Sequence, residues 1–100
     1  MKYIVFSEYK PKDFDELMEK RKQLQEEREK TPEKYPKRIF PPHMIGGGRT
    51  GKTFSVVEAT EEQILNSALL YAHWLPFMKM EYAPIVEADK VMELYQKMKK

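Results

Sequence analysis

The chain has 100 residues, 41% hydrophobic and 34% charged, with a formal net charge of +2. That length and balance describe one soluble domain over residues 1–100 with a modest core, and leave no room for a second. The 18 basic and 16 acidic residues are spread without a single-sign tail for DNA or an anionic membrane, and the lack of cysteine excludes disulfides and thiolate metal sites.

Lys2 to Tyr9, KYIVFSEY, is rich in β-branched and aromatic residues and is followed by Pro11, which predicts a central first strand. Its apolar run is too short and interrupted for a signal or membrane segment, so the chain reads as cytoplasmic. Asp13 and Glu16 have capping-box spacing, and Phe14, Leu17, Met18, Arg21 and Leu24 form one stripe of a long, charged helix. Across the whole chain lysine and glutamate dominate the charged residues, a composition found in heat-adapted proteins. Residues 26–38 carry Pro32 and Pro36 among charges and read as a solvated connection. Arg38 to Ile45 is a second strand, restricted to a sheet edge by Pro41 and Pro42.

Lys52 to Ala59, KTFSVVEA, is a proline-free third strand, paired to the second across a glycine loop. Thr60 and Gln63 form a second capping box. The helix over residues 61–75 repeats Ile64, Leu65, Ala68, Leu69, Ala72 and Leu75 at helical spacing until Pro76. Residues 77–86 make a fourth strand, placed at an edge by Pro84, and residues 89–100 a short helix with Val91, Leu94, Tyr95 and Met98 along one side. Strand, helix, strand, strand, helix, strand and a final helix is the α+β, ferredoxin-like order, with the sheet running four, one, three, two. All the strand prolines then fall on the edges.

Two motifs compete for attention. GGGRTGKT, residues 46–53, fits the phosphate-loop pattern, but that loop needs a helix opening at Lys52 and Thr53, and FSVVEA alternates as a strand does. The connection is instead a hairpin in which Gly46, Gly47, Gly48 and Gly51 reach positive φ, with Arg49 and Lys52 available to an anion. The RNA-recognition motif shares the strand and helix order; Lys52, Phe54 and Val57 agree with its third-strand signature. Thr53, Val56 and Ala59 depart from it at the glycine and the stacking aromatics, so nucleic acid is disfavoured as a partner.

The strand GKTFSVVEAT, led by Gly51, followed by a helix ending in HWLPFMKMEYAPIV, resembles a small family of bacterial and archaeal domains of unknown function. That family is similar to the dimeric α/β-barrel superfamily. The shared features are the ending VEA, Trp74 at the end of the second helix, and an acidic strand running into APIV; they span nearly the whole chain through loose motifs. The long charged first helix and the paired prolines before His43 depart from the common pattern. The resemblance implies a homodimer with two sheets packed face to face, helices outside, and a cavity between sheet and helices or within the barrel. Its relatives include monooxygenases, lactone isomerases, dehydratases and ligand-sensing domains, so the fold does not choose a function.

Among the polar residues, His43 lies on an edge strand near the expected cavity, and Glu58 shares a strand face with Phe54 and Val56. Burial of Glu58 would favour its protonated form and suit it to proton transfer. The two are the expected catalytic couple, diagonal on neighbouring strands and facing one pocket. The plainer alternatives are a structural histidine and a strand-end glutamate in water. Trp74, His73 and Glu81 are the expected substrate-pocket residues, against plainer roles in core packing, helix termination and a solvated edge. No cofactor or metal is expected, since a metal would need Glu58 or Glu81 to join His43 and His73 in space. The expected function is binding or transformation of a small molecule in an apolar cavity by acid–base chemistry; the alternative is a ligand-binding or structural module without catalysis.

Overall fold

The computed structural model describes residues 1–46 and 51–99. They form β1 (Lys2–Glu8), α1 (Phe14–Lys30), β2 (Lys37–Met44), β3 (Lys52–Glu58), α2 (Glu61–Trp74), β4 (Lys79–Pro84) and α3 (Ala88–Met98), with short 3-10 turns at Pro11–Asp13 and Pro32–Lys34. The four strands make one antiparallel sheet in the order β2-β3-β1-β4. This is the ferredoxin-like α+β arrangement read from the sequence. Proline placed the edges: Pro41 and Pro42 lie on β2 and Pro84 on β4, where a missing N–H spares the inner ladders. The register of β2 against β3 shifts between Arg38 and Phe40 and again between Phe40 and His43, and the second shift spans the paired prolines.

Alternation along the central strands sorts side chains between two faces. Tyr3, Val5 and Val57 are buried on the helical face with Ala59, and Ile64, Met80 and Tyr82 pack against them. Leu75, just past α2, is 1% exposed. The hairpin joining β2 to β3 is closed by Ile45 N–H donating to Lys52 O at 2.9 Å, and Lys52 and Thr53 lie within β3. No helix opens where a phosphate loop requires one. Gly46 and Gly51 have φ of +75° and +57°, as the hairpin reading expects; Gly47, Gly48 and Arg49 lie outside the described residues.

Three local expectations are corrected. Asp13 makes no side-chain cap at α1, because a 3-10 turn precedes the helix and leaves Asp13 at ψ of 2° rather than in the extended geometry of a capping residue. The connection after α1 is exposed over Pro32–Lys34, as expected, but it is tied down as well: Gln63 Nε2 donates to Glu33 O and Asn66 Nδ2 to Lys34 O, each at 3.0 Å, and Pro36 is buried. On α2, Leu65 and Leu69 are 64% and 69% exposed, while Ser67 is buried and Tyr71 half-buried. That helix is apolar over much of its circumference, so its period alone did not fix which side meets the sheet.

Candidate functional site

The stripe Phe14, Leu17, Met18, Arg21 and Leu24 lines the space between α1 and the sheet, but only Leu24 is buried. The helix bridges the sheet without sealing on it, and a cavity of about 930 Å³ lies between. Its floor is the helical face of the sheet, including Val5, Ser55, Val57, Met80 and Tyr82; Ser67, Tyr71 and Leu75 close its far side. That volume falls within the range of about 300–1,000 Å³ typical of small-molecule sites.

Polar groups punctuate these apolar walls. The hydroxyls of Ser7 and Thr53, cross-strand partners on the floor, hydrogen-bond to one another. Ser67 Oγ and Tyr82 Oη are 3.2 Å apart. Arg28, one helical turn beyond Leu24, donates from Nη2 to the carbonyl oxygen of Pro36 at 3.3 Å, tying α1 to the start of β2. Burial holds its guanidinium below the usual arginine pKa; nearby Tyr71 opposes the shift, and the like charge of Arg38 adds to it. Burial likewise pushes the Tyr82 phenol up, with the hydrogen bond from Ser67 acting in the opposite direction.

The five residues singled out from the sequence stand elsewhere. None of His43, Glu58, Trp74, His73 and Glu81 lines this cavity. His43 is exposed on β2, its Nδ1–H donating to Pro41 O at 2.7 Å and its ring stacked on Phe40 with centroids 4.4 Å apart. The Glu58 side chain is 52% exposed and lies 3.6 Å from the terminal amine of Met1, so the burial expected for it is not found. His43 and Glu58 do share a face of the sheet, but His43 sits opposite Phe54. Four residues of strand then separate the pair, about 13 Å along the strand at about 3.3 Å per residue. Glu81 is on the same face, opposite Phe6. His73 and Trp74 meet edge to face at 5.4 Å and line a shallower groove with Tyr35, Asn66 and Leu69. Among the described residues no cluster of His, Asp or Glu could hold a metal ion.

The face carrying His43 and Glu58 has an ordered pattern. Lys37, Glu58 and Lys2 form a row across β2, β3 and β1 at one end, and Lys52, Glu8 and Lys79 a row across β3, β1 and β4 at the other. Between them run Phe40, Val56, Ile4 and Ala83, then His43, Phe54, Phe6 and Glu81. Alternating charge thus bounds a largely apolar centre.

Sequence reasoning passed over Arg28, Arg38, Ser67, Tyr71 and Tyr82. A signal for some existed: Arg28 extends the α1 stripe, seven positions after Arg21, and Tyr82 shares the face of Met80 two positions before it on β4. The stripe of α1 was read only as far as Leu24, and β4 was weighed for Glu81 rather than for Tyr82.

Sheet order, helix placement and the cavity beneath α1 define a ferredoxin-like protein. Within that class, the family model of a domain of unknown function, DUF3303, matches residues 1–99, and the chain belongs to that family. No curated protein and no solved structure matches the chain. Among the described residues no helix is long and apolar enough to cross a membrane.

Proposed function

We propose that this protein is a small-molecule binding module that takes its ligand beneath α1 and works as a homodimer closed through the opposite face of the sheet, in the manner of the dimeric α/β barrels. The cavity of about 930 Å³ carries the binding reading. A chain of 100 residues has little core to spare, and an unfilled volume of that size forgoes packing that a purely structural domain would keep. Binding is favoured over acid–base catalysis because His43 and Glu58, about 13 Å apart along the strand, do not form a couple within one protomer. The dimer is supported by the two apolar rows between charged rows, the anatomy of an interface with an apolar centre and polar rim. Each end row sets a glutamate between lysines, which suits a second copy with the same alternation better than a polyanion. The cysteine-free composition suits the cytoplasm.

The test of the cavity uses the neutral apolar dye N-phenyl-1-naphthylamine. Its fluorescence is expected to rise saturably with protein, and Leu17→Trp, which fills the cavity from α1, is expected to weaken binding at least about tenfold while the circular dichroism spectrum is retained. Absence of saturable enhancement, or unchanged affinity in the folded variant, would refute the cavity as a ligand site.

A further inference from the structure

We propose that the cavity beneath α1 takes a small carboxylic acid with an apolar body, its carboxylate held by Arg28 and Arg38. This deepens the binding reading above and rests on it. The first observation is the distribution of basic residues. Three of the chain's four arginines line the cavity, Arg21, Arg28 and Arg38, and no described lysine does. A guanidinium presents a planar fork matched to a carboxylate, whereas an ammonium is a hydrated point charge, so a cavity lined by arginine alone fits planar oxyanion recognition.

The second observation is the missing counter-charge. The carboxylate lining this cavity is Glu29, which accepts from Gln25 Nε2 at 3.2 Å. Ion pairs among the described residues join Met1 to Glu58, Lys20 to Glu16 and Lys30 to Glu27, and none includes an arginine. Arg28, on the cavity side of α1, is half-buried and feels the like charge of Arg38. A guanidinium has five N–H donors, and the partners given to Arg28 here, the Pro36 carbonyl oxygen and the Tyr71 hydroxyl, are both uncharged and fewer than those donors. Two like charges lining one cavity, Arg28 half-buried and Arg38 at its exposed edge, raise each other's energy, and an anion between them reverses the sign of that interaction.

The third observation concerns the rest of the ligand. Leu17, Leu24, Leu75, Met78 and Met80 supply apolar walls, and the hydroxyls of Tyr71 and Tyr82 stand by the arginines as further polar partners. A bare inorganic oxyanion would leave those walls unused and surrender its hydration for little return. An organic acid uses both.

Isothermal titration with 2-naphthoate, 2-naphthamide and inorganic phosphate decides the matter, on the native protein, Arg28→Met and Arg38→Met. The native protein is expected to bind naphthoate at least about tenfold more tightly than naphthamide and to show no phosphate binding of comparable strength. Each methionine variant is expected to lose about tenfold or more for naphthoate and nothing for naphthamide. Unliganded Arg28→Met is also expected to melt no lower than the native protein, since it removes a desolvated, unpaired cation. A strap from α1 to Pro36 without a binding role predicts the reverse, a lower melting temperature with both probes weakened together, and that result overturns the proposal. Arg38, on exposed edge strand β2, keeps the test decisive if Arg28→Met does not fold. Equal affinity for acid and amide, or dye binding without naphthoate binding, defeats the carboxylate inference and leaves the cavity reading standing. Loss of dye, acid and amide binding alike defeats both. Phosphate binding as strong as naphthoate binding assigns the arginines to a phosphate and overturns the carboxylic acid.

Discussion

Gly51 stands where β3 leaves the hairpin, with φ of +57° and its carbonyl accepting from Tyr9 N–H at 3.0 Å. A Cβ there would run into the carbonyl oxygen and ring of Tyr9. Gly51→Ala is therefore expected to destabilise the fold by about 1–3 kcal/mol from backbone strain alone, with the steric clash added. Gly46, with φ of +75° and open space around it, bears only the backbone part. Urea denaturation of the two variants checks this; equal losses would show that the contact with Tyr9 contributes nothing. The need for positive φ was legible in the glycine run, because few other residues adopt it. Which glycine packs against Tyr9 was not, since that contact comes from the far end of β1. Arg28, Ser67 and Tyr71 escaped for a related reason: each is polar, faces inward, and has its role set by groups distant in sequence.

At the scale of elements, sequence period and proline position carried most of the fold. Proline excluded β2 and β4 from the centre of the sheet because a central strand needs both its ladders. Helix starts divide more sharply. Thr60 sits in extended geometry and completes its capping box, accepting from Gln63 N–H at 3.2 Å while Gln63 Oε1 accepts from Thr60 N–H at 3.0 Å. Asp13 has matching spacing to Glu16 but makes no side-chain cap. Thr60→Ala is expected to cost about 1 kcal/mol, and Asp13→Ala far less, in matched thermal melts. Equal losses would mean that the 3-10 turn before α1 does not replace the cap. The inward face of α2 was misread because Leu65 and Leu69 are as apolar as Ile64 and Ala68, and the choice between them lies with the sheet.

The chain as a whole is extended. Its radius of gyration is 16.1 Å and its extents are 56 × 34 × 19 Å, whereas a compact chain of this length has a radius near about 13 Å. On α3, Val91, Leu94, Tyr95 and Met98 are 52%, 60%, 57% and 81% exposed, although they lie along one side of the helix. The alternation of Tyr3 and Val5 with Ile4 and Phe6 gives the sheet two faces with apolar residues, and no sequence period says whether a partner meets the second. If two copies close on that face with α3 reaching across, light scattering at low micromolar concentration gives a mass near twice the 12.0 kDa of the chain. Phe54→Asp places a charge within the apolar centre of that face and is expected to shift the mass to that of one chain while the circular dichroism spectrum holds. Leu94→Glu is expected to weaken the dimer without abolishing it, since α3 would contribute at the margin of the sheet contact. A mass near 12.0 kDa for the native protein rules the dimer out. A native dimer split by Phe54→Asp but untouched by Leu94→Glu would leave the sheet interface in place and assign the apolar side of α3 to a different partner.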